Sequence, residues 1–391
     1  MKRVRVFTFC VLAALLCALV VLRADPGQLR EALPASPASG ELSAENVPPS
    51  RVQTLISAMS REEKVWQMLI LRPEQLTGQL STSDGALWSE GFRSRPAGGL
   101  VFDGSNMRSR AELKAMLAAA GAPEGAALRP FLCVDEEGGA VARVAYNLGG
   151  TTAFRPMFTY REDGTPTAFE NARTIAGDIA DLGFNVDFAP VADVWTNPAN
   201  TVIGKRAYSD DPGQAAELVA AAVQGFHEGG VMTVLKHFPG HGDTAEDSHL
   251  GAAYSDKTAS ELRECEFLPF AAGIAEGADM VMMGHITLNR IDPGIPASLS
   301  RAVVTELLRV ELGFQDGVVI TDAMEMSALG ELSPEDAAVM AVEAGCDLIL
   351  APADPDAAAA AILERIPEER LDESLARILS LKLEWGLLRE E

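Results

Sequence analysis

Cysteine is scarce in this 391-residue chain: Cys10, Cys17, Cys133, Cys265 and Cys346, with no CxxC spacing. That excludes a disulfide scaffold and a thiolate zinc site. Basic residues are in deficit too, 32 Lys and Arg against 56 Asp and Glu, a formal net charge of −24. A surface so acidic repels phosphate backbones, so nucleic acid is excluded as an expected partner. Aromatics are only 6 %, while alanine, glycine and leucine abound, as in helix-rich α/β enzymes. Apolar residues are not lacking. At 48 % hydrophobic and 23 % charged, the composition is that of a folded globular protein, and disorder over most of the chain is excluded.

The first 24 residues stand apart. Lys2, Arg3 and Arg5 precede a run, 7–22, that is apolar apart from Thr8 and is closed by Arg23. This pattern is an export signal, either a cleaved signal peptide or an uncleaved membrane anchor; a buried core helix would not need the basic start or the linker that follows. No clean A-x-A cleavage site is present, and Cys17 follows Leu-Leu rather than the small residue a lipoprotein site wants. The basic end should stay inside and the rest leave the cell. Residues 25–50 hold Pro26, Pro34, Pro37, Pro48 and Pro49 without an apolar period, the mark of a flexible linker. The folded domain is expected over 51–391, with Ser60 and Glu63 forming a capping box at a helix start.

From there short apolar runs alternate with helical spacing. The runs are 68–71, 99–102, 131–134, 185–189, 231–235, 279–283, 317–321 and 347–350. They are continuous rather than alternating, as strands buried on both faces must be. Helices are predicted over 168–182, 213–227, 259–275, 301–311, 334–344 and 374–384. Eight such units predict a single (β/α)8 TIM-like barrel. A doubly wound open sheet is the alternative, but no GxGxxG follows the first runs. In a barrel, function sits past the C-terminal strand ends. The residues there are Asp103, Asp135, Asp193, Lys236, His237, His285 and Asp322.

Three of the five histidines fall in Lys236-His-Phe-Pro-Gly-His-Gly-Asp-Thr-Ala-Glu-Asp-Ser-His249, a loop that Gly240 and Gly242 should make pliable. The loop reads as a metal site, as a solvated polar segment, or as an acid/base loop. In the last case Asp247 holds the His249 tautomer while the other ring nitrogen gives and takes protons. Asp322 ends a hydrophobic run and is either a helix N-cap or a carboxylate nucleophile. Asp135 and Arg143 flank the turn at Gly138-Gly139, which can bring them together as a site or as a surface ion pair. Arg206, in Ile203-Gly-Lys-Arg206, is suited to forked hydrogen bonds with a polar substrate, or else is a solvated loop charge.

Together these four stretches resemble glycoside hydrolase family 3, and within it the single-domain β-N-acetylglucosaminidase branch. Lys236 to His249 is the most specific match. The resemblance implies that Asp322 is the nucleophile, that His249 is the acid/base held by Asp247, and that Asp135, Arg143, Arg206, Lys236 and His237 hold the sugar. Two neighbours depart from the branch: Glu136 stands where glutamine is usual, and Ala140 where arginine is frequent.

The resemblance further implies a retaining mechanism with a histidine acid/base. No cofactor and no metal are required. The expected substrate is a terminal non-reducing β-N-acetylglucosaminide, most plausibly from peptidoglycan fragments, and the expected partners are that carbohydrate and the membrane met by the N-terminal segment. A monomer at the outer face of the membrane, or outside the cell, is expected. Phosphorolysis or β-glucoside cleavage at the same site remains open, as does a metal-dependent hydrolase or an inactive sugar-binding protein.

Overall fold

The computed structural model describes residues 50–124, 128–149, 151–244, 253–326, 329–330 and 332–388. The segment expected to direct export, the expected linker up to residue 49, and Asp247 and His249 lie outside them. Eight strands form one parallel sheet: β1 (Leu69–Leu71), β2 (Gly99–Phe102), β3 (Phe131–Val134), β4 (Val186–Asp187), β5 (Met232–Phe238), β6 (Met280–Met283), β7 (Val318–Thr321) and β8 (Ile349–Leu350). Their order runs from β1 to β7 in sequence, with β8 on the free side of β1. A parallel bridge between Ile320 and Leu348 brings β7 to the entry of β8 and nearly closes the ring. Every residue of these strands is buried, which is why the runs are continuous: one face packs inside the barrel and the other against helices.

The helical layer follows from local chemistry. Ser60 and Glu63 close the predicted capping box. Asp211 caps Pro212–Gly229 by accepting the Gln214 N–H, with Pro212 at its first position and Gly230 ending it. Two predicted helices differ from expectation. The segment 259–275 is broken into Ala259–Glu264 and Phe267–Ala275. Pro269 has no N–H for the Cys265 carbonyl, and its ring would crowd that carbonyl in a continuous helix. The segment 301–311 is wound as a π-helix, Ala302–Glu311, and carries Arg309 inward near its end. Among the described residues no helix is long and apolar enough to cross a membrane.

Two small sheets lie beyond the C-terminal ends of the strands. Glu136–Gly138 and Val141–Ala142 form an antiparallel hairpin after β3. Ala253–Ser255 and Ile286–Leu288 pair in parallel after β5 and β6. Both border the mouth of the barrel.

Candidate active site

A cleft of about 600 Å³ opens at that mouth. Asp135, Arg143, Arg206, Lys236, His237 and Asp322 all line it. Strand ends and three loops bring together residues spread over nearly 190 positions, as the barrel geometry demands.

Lys236 comes from β5 and is 2 % exposed. A buried ammonium needs counter-charge, and its Nζ lies 2.6 Å from both Asp135 Oδ1 and Glu137 Oε1. Arg206 grips the same Glu137 with both prongs, Nε to Oε2 at 2.9 Å and Nη2 to Oε1 at 2.7 Å. Burial opposes the Glu137 charge, but the Arg206 guanidinium and Lys236 ammonium outweigh it and hold the carboxyl at about 2. Burial likewise works against the Lys236 charge, and Asp135 and Glu137 raise its pKa in spite of it. The result is a fixed, charged floor of donors whose outer edges face the cleft.

Asp193 is wholly buried and organises the histidines. It accepts His237 Nδ1 at 2.7 Å, the His237 N–H, and the His241 N–H at 2.6 Å. Despite its burial, the His237 and His241 contacts keep Asp193 below its ordinary value. As a carboxylate it only accepts, so His237 Nδ1 carries a proton toward it. His241 bonds Thr244 Oγ1 at 2.8 Å, and burial with the neighbouring His237 lowers its pKa. The glycines of this loop serve packing rather than pliability. A Cβ on Gly242 would sit 1.9 Å from the Val194 carbonyl oxygen. Gly240, at φ +119°, takes a conformation other residues avoid.

Asp322 leaves β7 half-exposed in the cleft, and its Oδ1 accepts the Ala323 N–H at 2.8 Å. Its own N–H donates to Met283. Through Met326 the chain turns rather than entering a helix, so this carboxylate is not capping a helix there. His285 braces the turn: Nδ1 meets Ser298 Oγ at 2.7 Å and Nε2 meets the Ala323 carbonyl at 3.1 Å.

The sequence profile of the "Glycosyl hydrolase family 3 N terminal domain" matches residues 62–381. This chain belongs to glycosyl hydrolase family 3. It is similar to beta-hexosaminidase A of Pseudoalteromonas piscicida, 34 % identical over 319 residues, which cover 73 % of this chain and 53 % of that one. It is also similar to the beta-hexosaminidase of Stenotrophomonas maltophilia, 38 % identical over 258 residues covering 64 % and 75 %. The solved family 3 beta-N-acetylglucosaminidase of Paenibacillus sp. superposes with TM-score 0.77 at 34 % identity, over 85 % of this chain and 64 % of that one. The chain thus spans about half of the first relative and just under two thirds of the solved enzyme.

Within this family 3 site, the expected approach of Arg143 to Asp135 happens only through the backbone, Arg143 N–H to the Asp135 carbonyl at 3.1 Å. The Asp135 carboxylate belongs to Lys236 instead, because a buried ammonium gains more from it than an arginine at the open mouth. The Arg143 guanidinium is hydrogen-bonded by no described residue and lines the cleft. Sequence reasoning left Glu137 without a role; the signal was that two buried cations, Lys236 and Arg206, required one more anion. It also passed over Arg72, which follows β1 as the other site residues follow their strands. Arg72 binds Asp103 Oδ2 at 2.7 Å and Glu325 at the rim. Among the described residues no group of three His, Cys, Asp or Glu could hold a metal ion.

Proposed function

We propose that this family 3 chain is a retaining β-N-acetylhexosaminidase that removes terminal β-N-acetylglucosamine. The observation carrying the reading is the convergence of Asp322 with Asp135, Arg143, Arg206, Lys236 and His237 on one cleft. A carboxylate at the lip and a fixed set of donors below it suit a sugar ring laid across the barrel mouth. The names of the hexosaminidase relatives support the choice of sugar.

In this mechanism an Asp322 oxygen attacks the anomeric carbon while the C–O bond to the leaving group breaks. His249, held by Asp247, gives its proton to the leaving oxygen. His249 then takes a proton from water as that water attacks the anomeric carbon, which releases the sugar and frees Asp322. No cofactor or metal takes part in these steps. The basic start and apolar run of residues 1–24 support export, with the enzyme tethered to or released from the outer face of the membrane as a monomer. Cell-wall fragments are the matching natural substrate. Water is the acceptor on this reading, since phosphate outside the cytoplasm is uncontrolled and a sugar phosphate made there saves the cell little.

Hydrolysis of aryl β-N-acetylglucosaminide and aryl β-glucoside, measured side by side in phosphate buffer, tests the proposal. A clear preference for the first, with free N-acetylglucosamine as product, is expected. Preference for the glucoside overturns the substrate, and sugar 1-phosphate as main product overturns hydrolysis.

A further inference from the structure

Arg143 opens the short helix Arg143–Leu148, and that helix has an unusual start. Its N-cap residue is Ala142, which has no side chain to accept the free N–H groups of the first turn. Glu136, seven positions earlier on the facing hairpin strand, does so. Its carboxylate accepts the Val144 N–H at 2.6 Å and the Ala145 N–H at 3.0 Å. Glu136 is 3 % exposed. Its own N–H donates to Asp187 Oδ1 at 2.9 Å, at the end of β4. The other Asp187 oxygen is buried, with no partner among the described residues.

We propose that Glu136 is the positioning residue for Arg143: its carboxylate fixes the first turn of the arginine's helix and loosens that turn when it takes up a proton. An ionised carboxylate offers two accepting oxygens, one for each N–H. A protonated one turns one oxygen into a hydroxyl, a far weaker acceptor for the N–H it faces. One of the two bonds is then weakened, and Arg143, the residue just before Val144, loses part of the anchor that sets its side chain at the cleft.

The surroundings support a proton exchange within the working range of an enzyme. Burial raises Glu136 to about 7, against the pull of the Val144 and Ala145 N–H groups. Asp178, on the helix Thr165–Ala180 that packs against this hairpin, adds to the rise, and Arg143 opposes it. From β4, Asp187 is itself pushed well up by burial; the Glu136 N–H works against that rise and the Glu136 charge adds to it. The neighbouring charges Lys236 and Asp135 act on Asp187 with opposite signs.

The inference rests on the proposed role of Arg143 in holding the sugar, and the experiment separates the two. With the aryl β-N-acetylglucosaminide, KM of the wild-type chain is expected to rise about tenfold from pH 8 to pH 6, since about one Glu136 in ten is still ionised one unit below its midpoint. In Glu136→Gln, whose amide holds one N–H at every pH, that rise should disappear while kcat keeps its wild-type pH profile. The same KM dependence in both proteins, or a change confined to kcat, overturns the proposal. The Val144 and Ala145 amide shifts in the ¹⁵N-labelled chain supply a readout free of substrate. They should titrate with a midpoint near 7 in the wild type and stay flat in the variant; flat shifts in the wild type overturn the proposal whatever the kinetics. Absent turnover with the amide titration intact counts against the proposed function and leaves the Glu136 latch standing.

Discussion

The two ends of the barrel use the same ionic chemistry to opposite purposes. At the end where the strands begin, Asp347 is fully buried before β8. It accepts from Arg309 Nη2 at 2.5 Å, Ser374 Oγ at 2.9 Å, Arg377 Nη1 at 3.0 Å and the Val319 N–H at 3.0 Å. The other Arg309 donors are taken by the carbonyls of Phe314, Gly317 and Gly345. Asp279 before β6 is likewise engaged by Trp385, His227 and the Thr233 N–H. At the mouth, Glu137 also binds two cations, but Lys236 and Arg206 border open space and the Arg143 guanidinium makes no hydrogen bond to a described residue. At the strand-start end the Arg309 donors are all taken by Asp347 and backbone carbonyls, which holds the fold, although Arg377, Asp279 and Trp385 also border a groove there. A cluster whose donors face a cleft can hold a ligand.

The largest effect should come from Asp322, which has a task only at the mouth. Asp322→Asn is expected to lower turnover by about 10³-fold or more while leaving the melting temperature in place. Full activity in that variant would remove the nucleophile from the proposal. His249→Ala should be next, and selective: cleavage between two sugars should fall far more than cleavage of an activated aryl glycoside, whose leaving group needs no proton. Equal losses on both substrates would give His249 a binding role instead.

A matched pair sharpens the comparison directly. Glu137→Gln and Asp347→Asn each strip the shared anion from buried cations, and each should cost about 3–5 kcal/mol in denaturant unfolding. Only Glu137→Gln should also reduce kcat/KM per folded molecule. A comparable drop in Asp347→Asn would erase the distinction between the two ends.

The smallest effect concerns acid. The Glu137 carboxyl, held at about 2 in the folded chain, lies below its unfolded value of 4.5. Its stabilisation is therefore full above pH 4.5 and lost as pH falls toward 2, roughly 3 kcal/mol in all. Glu136 has the reverse sign: raised to about 7, it favours folding below pH 4.5 and loses that contribution as pH rises through 7. Urea midpoints between pH 4.5 and 2 should fall more steeply for the wild type than for Glu137→Gln. Parallel slopes would mean the Arg206 and Lys236 contacts do not hold the Glu137 charge.

Much of this was legible beforehand, for definable reasons. Strands buried on both faces must be apolar without interruption, so the runs at 99–102 and 131–134 match β2 and β3 residue for residue. The helix Pro334–Ala344 coincides with its expected span because Ser333 and Gly345 cap it locally. The break at Cys265 was written in Pro269 but outweighed by a long apolar period. The π-winding of Ala302–Glu311 left no mark in a spacing that suits an α-helix equally well.

The sequence by itself determined the alternation of eight short apolar runs with helices, and with it the barrel and the end where the polar strand-end residues line a cleft. Periodicity and capping are local properties, and neighbouring residues suffice to express them. Which charge meets which was decided only by the tertiary structure. Asp135 pairs with Lys236, 101 positions away, rather than with Arg143; Glu137 joins Arg206 to Lys236; and Glu136 caps a helix whose own N-cap residue cannot. A buried charge is stable only beside its opposite, and closure of the ring, not order along the chain, determines which opposites lie within reach.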